Sequence, residues 1–330
     1  MAEGAEGYAS ADGPRSLGEA RLGIEGPGTL RDVRRFSHEA MATVFEVHAE
    51  HPDERYVAQA AQAAFDLIDR LEGELSRFRS NSDITRVNHL AAGESTRVSP
   101  ATLECLVIAR HMFDLTGGAF DVSIGTGLPS LDLDADDFLV RATQGGVRVD
   151  LGGIGKGYAV DRMAELIEEW DLGLALVHGG FSSVLALEPP TGCEGWPLTL
   201  SDPSAPSSRV LARLSARQMA LGASGLRKGD HIVDPRTGEP ARGRLAAWVG
   251  VPRPQEGRAE AQAEDEPRVA AAAVADALTT AFMLLSREDI EGLCQRSPGL
   301  EVWILLEPPD DSHPQPQFLH FGGAARELDG

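Results

Sequence analysis

The sequence predicts an α+β protein, in which strands and helices do not alternate regularly. β-Prone apolar runs come in pairs, as in "LALVHGGFSSVLALE", where a Gly pair divides two runs in the manner of a hairpin. Apolar residues at helical spacings of three and four occupy separate stretches. No fixed-period repeat is visible, which argues against solenoids and propellers. We therefore expect mixed or antiparallel sheets with packed helices.

Composition excludes several classes of function. The chain has 330 residues, 42% of them hydrophobic, so it can bury a substantial core. Its formal charge of −21 argues against a sequence-independent grip on nucleic acid or an anionic membrane. Three widely spaced cysteines indicate neither a zinc site nor a disulfide framework. No export signal or membrane-spanning stretch is apparent, which predicts a soluble, cytoplasmic protein.

The first half of the chain predicts a tail, a strand and two helices. Residues 1–32 are predicted to form a disordered tail, and "RRFSHEAMATVFEVHAE" an extended run. A helix follows Asp53, with an apolar stripe that begins at Val57. Another helix has Ser99 as its N-cap, Pro100 at its first position and Gly117 as its left-handed end.

The second half begins with the strand end "VRVD", which a glycine-rich turn joins to a helix. The hairpin noted above follows, and later "VAAAAVADALTTAFMLL" predicts a helix and "LEVWILLE" a strand. Between them, an acidic segment at about 252–267 reads as a solvated insertion. We thus predict one domain over residues 33–307 and a C-terminal tail over 308–330.

The glycine-rich turn is "DLGGIGKGYAVD", residues 150–161. It matches neither the dinucleotide fingerprint, because its glycines are wrongly spaced, nor the P-loop, because Lys156 is followed by Gly157. The helix that follows would still offer free N–H groups and a positive dipole end to a phosphate, with Lys156 beside it. A tight connection without a ligand explains the same residues.

Two further motifs contain candidate ligands. Asp276 and Thr280 are four residues apart on a predicted helix, so a carboxylate and a hydroxyl project from one face toward a hard cation such as Mg²⁺. A solvated or capping Asp would look alike. His231, in a basic loop, could contact a diphosphate or move a proton, or make a structural hydrogen bond.

Taken in order, seven segments resemble the ApbE family of flavin transferases: "MATVFEV", "LSRFRSNSDITRVNH", "TGGAFDVSIG", "DLGGIGKGYAVD", "LVHGG", "SGLRKGDHIVDPRTGEP" and "ADALTTAF". The resemblance runs from about Phe36 to Leu306. It implies an ApbE-like fold with two lobes around a flavin cleft. It also implies Mg²⁺-dependent transfer of FMN from FAD to a Thr or Ser hydroxyl of an acceptor protein, with release of AMP.

Carried over by position, the resemblance implies a magnesium site at Asp276, Thr280 and a main-chain carbonyl of the glycine-rich turn, placed at Gly153. His231 and Asp276 become the catalytic residues. The residues implied to bind the dinucleotide are Met41, Ala119, Phe120, Asp121, Lys156, Asp161, Gly180, Ser224 and Gly225.

Two departures from the family pattern bear on the site. Ala42 occupies a position where the family usually has Gly, and the stretch from Gly125 to Val149 is shorter than the usual insertion, which implies a more open pocket. Two other functions remain open: a Mg²⁺-dependent diphosphatase that splits FAD into FMN and AMP, and a flavin-binding protein without turnover.

Overall fold

The computed structural model describes residues 21–24, 30, 32–204, 209–225, 232–253, 270–308 and 315–323. The helices are α1 (Glu54–Leu75), α2 (Asp83–Val87), α3 (Pro100–Leu115), α4 (Gly155–Glu169), α5 (Ala271–Ala281) and α6 (Arg287–Arg296). The strands are β1 (Arg21–Ile24), β2 (Val33–Ala40), β3 (Thr43–Glu50), β4 (Ser95–Arg97), β5 (Leu131–Asp134), β6 (Leu139–Ala142), β7 (Ala175–Gly179), β8 (Ser183–Ala186), β9 (Trp196–Ser201), β10 (Val210–Ala216), β11 (Met219–Gly225), β12 (Arg244–Pro252), β13 (Glu301–Leu306) and β14 (Gln317–Phe321).

An eight-stranded antiparallel sheet organises the fold, with strand order β14-β13-β12-β11-β8-β7-β3-β2. Two three-stranded sheets accompany it, β1-β9-β10 and β4-β6-β5. The α+β class with antiparallel sheets and packed helices is confirmed. The division into two lobes stays a prediction. No helix among the described residues is both long and apolar enough to span a membrane.

The central sheet buries both of its faces, and alternation along the strands assigns each side chain to one of them. On β7, Val177 packs in the larger core, which includes residues of α1, α4 and α5. Its neighbour Leu176 packs in a second core with Leu22 of β1 and Trp196 of β9. The three-stranded sheet β1-β9-β10 therefore covers the face of the central sheet that does not pack against the helices.

Local signals in the sequence are confirmed at several elements. The Asp53 side chain accepts hydrogen bonds from the first turn of α1, and Ser99 caps α3, where Pro100 is the first residue. Gly117 follows α3 with φ +58°. The predicted hairpin is formed by β7 and β8, in which Gly179 faces Ser183.

The structure differs from the sequence prediction in three segments. The single extended run is a hairpin of β2 and β3. β1 and β14 lie inside the predicted terminal tails: β1 pairs with β9, far along the chain, and β14 pairs with the preceding strand β13. Most of the predicted acidic insertion lies outside the described residues, although β12 continues through Pro252.

The β2–β3 turn is formed by two non-glycine residues in the left-handed region, Met41 with φ +49° and Ala42 with φ +57°. Such a two-residue turn matches the twist of a hairpin but favours Gly or Asn, since an L side chain costs roughly 1–2 kcal/mol there. Both residues line the cleft described below, so the strained turn lies at the candidate site.

We predict that Ala42→Gly raises the free energy of unfolding by about 1 kcal/mol, because it relieves the left-handed strain. Urea unfolding measures the change. The matched control is Ala63→Gly within α1, where the same exchange should lower stability by about 1 kcal/mol. A loss of stability in Ala42→Gly would show that the turn carries no strain.

Candidate active site

A cleft of about 780 Å³ opens where the glycine-rich turn meets β3, β11 and α5. Its lining residues come from segments far apart in the chain: Met41, Ala42, Thr43, Ala119, Phe120, Asp121, Val122, Ile124, Asp150, Gly152, Gly153, Lys156, Phe181, Ser182, Ala223, Ser224, Gly225, Ile232, Val233, Pro235, Asp276, Thr279 and Thr280. Most of the segments that the family resemblance selected therefore meet at one place.

The glycine-rich turn is held by Asp150, whose side chain accepts a hydrogen bond of 3.0 Å from the Gly152 N–H. Arg77 Nε lies 2.8 Å from the other oxygen of this carboxylate. Lys156 Nζ donates to the Gly152 carbonyl at 3.4 Å, and its charge acts on Asp276. The turn thus brings one cation to the cleft wall.

Asp276 is almost fully buried on α5 and accepts two short hydrogen bonds. The Gly157 N–H donates to Oδ2 at 2.8 Å, and Ser183 Oγ donates to Oδ1 at 2.7 Å. Burial raises the pKa of Asp276 to about 6, against the opposing effects of the Lys156 charge and these two hydrogen bonds. Among the described residues no cation forms an ion pair with Asp276, and the two hydrogen bonds and the nearby Lys156 charge only partly offset the burial of this carboxylate at the cleft.

Two glycines allow Asp276 to be held in this way. A Cβ on Gly157 would lie 2.1 Å from the Ala272 carbonyl oxygen, and one on Gly222 would lie 2.7 Å from the Ala275 carbonyl. Both contacts are too close for any side chain. The α5 backbone therefore lies directly against α4 and β11, which brings the Gly157 N–H to Asp276.

The donors predicted for a metal lie together. Gly153, Asp276 and Thr280 all line the cleft, and a Cβ on Gly153 would lie 3.5 Å from Thr280 Oγ1. A carboxylate, a hydroxyl and a carbonyl are hard oxygen ligands that fit Mg²⁺. The described residues contain no cluster of three His, Cys, Asp or Glu that could hold a metal.

Thr279, next to Thr280, is used differently. Its hydroxyl donates to the Asp276 carbonyl at 2.7 Å and is 2.8 Å from Ser224 Oγ, which ties α5 to β11. Thr279 is buried, whereas Thr280 is only partly covered. Both threonines line the cleft, but the Thr280 hydroxyl makes only a long hydrogen bond of 3.5 Å to the Asp276 carbonyl, so it is the more available of the two to a ligand.

Seven of the nine residues predicted to bind the dinucleotide line the cleft, namely Met41, Ala119, Phe120, Asp121, Lys156, Ser224 and Gly225. Asp121 also shapes its own loop, because its carboxylate accepts hydrogen bonds from the backbone N–H groups of Ser123 and Gly125. No described lining residue comes from 125–149, the stretch predicted to be shorter than the family's insertion.

Asp161 and Gly180 do not line the cleft. The buried Asp161 carboxylate accepts hydrogen bonds from the Ala272 and Ala273 N–H groups at 3.0 and 2.8 Å, and so caps α5. Burial raises its pKa to about 7, although these hydrogen bonds oppose the shift. Gly180, with φ +63°, makes the turn into Phe181, and its N–H donates to the Val44 carbonyl.

The first turn of α4 also differs from expectation. The sequence predicts that its free N–H groups bind a phosphate, yet the Gly157 N–H donates its hydrogen bond to Asp276.

His231 lies outside the described residues, while its neighbour Ile232 lines the cleft. Ser183 and Phe181 also belong to the site but cannot be predicted from sequence, because their only local signal is their place just after the Gly pair of the hairpin.

The fold matches known flavin transferase structures. Flavin Transferase ApbE from Vibrio cholerae aligns with a TM-score of 0.70 at 19% identity, over 88% of this chain and 97% of that one. The ApbE protein from Thermotoga maritima aligns with a TM-score of 0.71 at 21% identity, over 88% and 97%. At these identities the likeness establishes the fold.

Sequence comparison establishes the family. The model of the ApbE family matches residues 41–129 and 125–264, and the chain belongs to this family. The FAD:protein FMN transferase of Treponema pallidum is 25% identical over 329 residues, covering 84% of this chain and 82% of that protein. A Klebsiella pneumoniae protein of the same name is 24% identical over 217 residues, covering 54% of this chain and 66% of the relative.

We predict that Asp161→Ala lowers the free energy of unfolding by about 1–2 kcal/mol, because two buried N–H groups of α5 lose their acceptor. Urea unfolding measures the loss, and Asp161→Asn, which keeps one acceptor oxygen, should lose less. The affinity of the folded protein for FAD, measured by calorimetry, should hardly change. Weaker FAD binding at unchanged stability would instead make Asp161 a ligand of the dinucleotide.

Proposed function

We propose that the protein transfers FMN from FAD to a Thr or Ser hydroxyl of an acceptor protein, in a Mg²⁺-dependent reaction that releases AMP. Membership of the ApbE family and relatives named FAD:protein FMN transferase support this proposal. The observation that carries it is the buried Asp276 carboxylate, which faces a large cleft beside Thr280, Gly153 and Lys156.

In this reaction the acceptor oxygen bonds to the phosphorus of the FMN half, and the bond from that phosphorus to the oxygen of AMP breaks. Such transfer asks the protein chiefly for positioning and for neutralisation of charge. Asp276, Thr280 and the Gly153 carbonyl would hold a Mg²⁺ ion, and this ion would neutralise charge on the diphosphate. Lys156 adds a positive charge on the same wall.

The hydroxyl proton must leave during the attack. We propose His231 either as its acceptor or as a ligand of the phosphates, in accordance with its position in the family motif. Asp276 is a poor base, because both of its oxygens already accept hydrogen bonds from Gly157 and Ser183. Its proposed role is to hold the metal.

Two alternatives use the same cleft. A diphosphatase would place water where the acceptor hydroxyl attacks, and a cleft without lining from 125–149 leaves room for water. A binding protein without turnover would leave FAD intact.

We also propose a reducing, cytoplasmic compartment, which the free state of Cys105, Cys193 and Cys294 supports.

The test is to incubate the purified protein with FAD and Mg²⁺, with and without an acceptor that carries the family's flavinylation sequence. AMP release and covalent flavin fluorescence in a denaturing gel are followed together. Matching AMP and fluorescence on the acceptor support the transferase. AMP with free FMN indicates the diphosphatase, and FAD that stays intact across several acceptors indicates a binding protein.

We predict that Asp276→Asn lowers the rate of Mg²⁺-dependent AMP release at least about 100-fold, because it removes the charged metal ligand and keeps the side-chain shape. Asp132→Asn, at an exposed position on β5, is the matched control and should keep the wild-type rate. Wild-type activity in Asp276→Asn would remove this residue from the metal site.

A further inference from the structure

Strand β1 precedes the part of the chain that the family model matches, yet it is built into the molecule. It pairs antiparallel with β9, with Leu22 opposite Leu200, and the Leu22 side chain is completely buried in the second core. A segment that precedes the matched part of the chain is therefore packed beside the central sheet.

The backbone of β1 also contacts the candidate site. The Leu22 N–H donates a hydrogen bond of 2.8 Å to the Phe181 carbonyl, in the loop between β7 and β8. Successive N–H groups of a strand point to opposite sides, so the N–H of Leu22 points to this loop while the N–H groups of its neighbours point to β9. The His178 ring meets the Phe181 ring edge-on, with centroids 6.4 Å apart.

The β7–β8 loop is anchored at each of its residues. The Gly180 N–H donates to the Val44 carbonyl, the Ala223 N–H donates to the Ser182 carbonyl, and Leu22 holds the Phe181 carbonyl. The chain then continues to Ser183, which bonds Asp276. One short segment thus connects strand β1 with the carboxylate proposed to hold the metal.

Phe181 is 52% exposed as a residue and lines the cleft. It lies on the side of the β2–β3 turn, because Gly180 abuts the Thr43 side chain, two residues after Met41. The oxygen donors and Lys156 belong to other segments of the cleft wall. An exposed aromatic face beside a phosphate-binding wall suits a planar ring that is attached to phosphate.

We propose that Phe181 packs against the flavin ring of FAD, and that Leu22 is a positioning residue whose N–H fixes Phe181 for this contact. The inference rests on the proposed function, since it takes FAD as the substrate. It adds a specificity determinant for the flavin half of the substrate and gives β1 a role in binding.

Titration calorimetry with FMN and with AMP, in the presence of Mg²⁺, separates the two halves of FAD. Phe181→Ala should weaken FMN binding about tenfold and leave AMP binding unchanged, as expected for the loss of one ring contact. Phe181→Tyr should keep the wild-type affinity for FMN. Weakened AMP binding with intact FMN binding would overturn the assignment of the flavin.

The role of Leu22 is tested by a pair of variants. Leu22→Pro removes the N–H and the side chain, whereas Leu22→Ala removes most of the side chain and keeps the N–H. Both lose core packing, but only Leu22→Pro should weaken FMN binding like Phe181→Ala. In the Phe181→Ala background, Leu22→Pro should add no further loss. Equal FMN affinities for the two Leu22 variants would overturn the positioning role.

The two proposals fail in different ways. A wild-type protein that releases AMP from FAD and attaches a matching amount of flavin to the acceptor, combined with normal FMN affinity in Phe181→Ala, overturns this inference and leaves the proposed function standing. A wild-type protein that binds neither FAD nor FMN overturns the proposed function and this inference with it.

Discussion

The site depends on the direct contact of the α5 backbone with α4 and β11, which allows a carboxylate to be buried. Asp276 is tolerated there because Gly157 and Ser183 donate hydrogen bonds to its two oxygens. The Gly157 bond requires that α4 and α5 meet without side chains between them, and Gly157 and Gly222 meet this requirement. The same close contact explains why α5 is rich in alanine, because larger side chains would not fit between the helix and its neighbours.

The two buried acids on α4 and α5, Asp161 and Asp276, occupy different positions. Asp161 accepts from the first N–H groups of α5 and holds its end, while Asp276, one turn further along, faces the cleft. The two neighbouring threonines both line the cleft, but the Thr279 hydroxyl makes two short hydrogen bonds within the protein and the Thr280 hydroxyl makes one long one. Supporting residues therefore surround each proposed ligand, which favours a rigid site.

Much of the fold could be predicted, because its signals are local. The caps of α1 and α3 are adjacent in sequence to the groups that they bond, and the β7–β8 hairpin closes through its own Gly pair. Strands β1 and β14 escaped prediction because both are short. The partner of β1 is β9, far along the chain, and β14 pairs at the edge of the central sheet with the preceding strand β13. The β2–β3 turn was missed because Met41 and Ala42 are not typical turn residues.

For the candidate site, the sequence by itself determined the types of ligand: the helical spacing of Asp276 and Thr280, the glycine-rich turn and Lys156. The tertiary structure decided which groups face the cleft. In the folded protein the Gly157 N–H donates to Asp276, the Asp161 carboxylate lies at the start of α5, and Phe181 lines the cleft. The physical reason is distance along the chain: the bonds from Gly157 and Ser183 to Asp276 span 119 and 93 positions, and only packing brings such partners together.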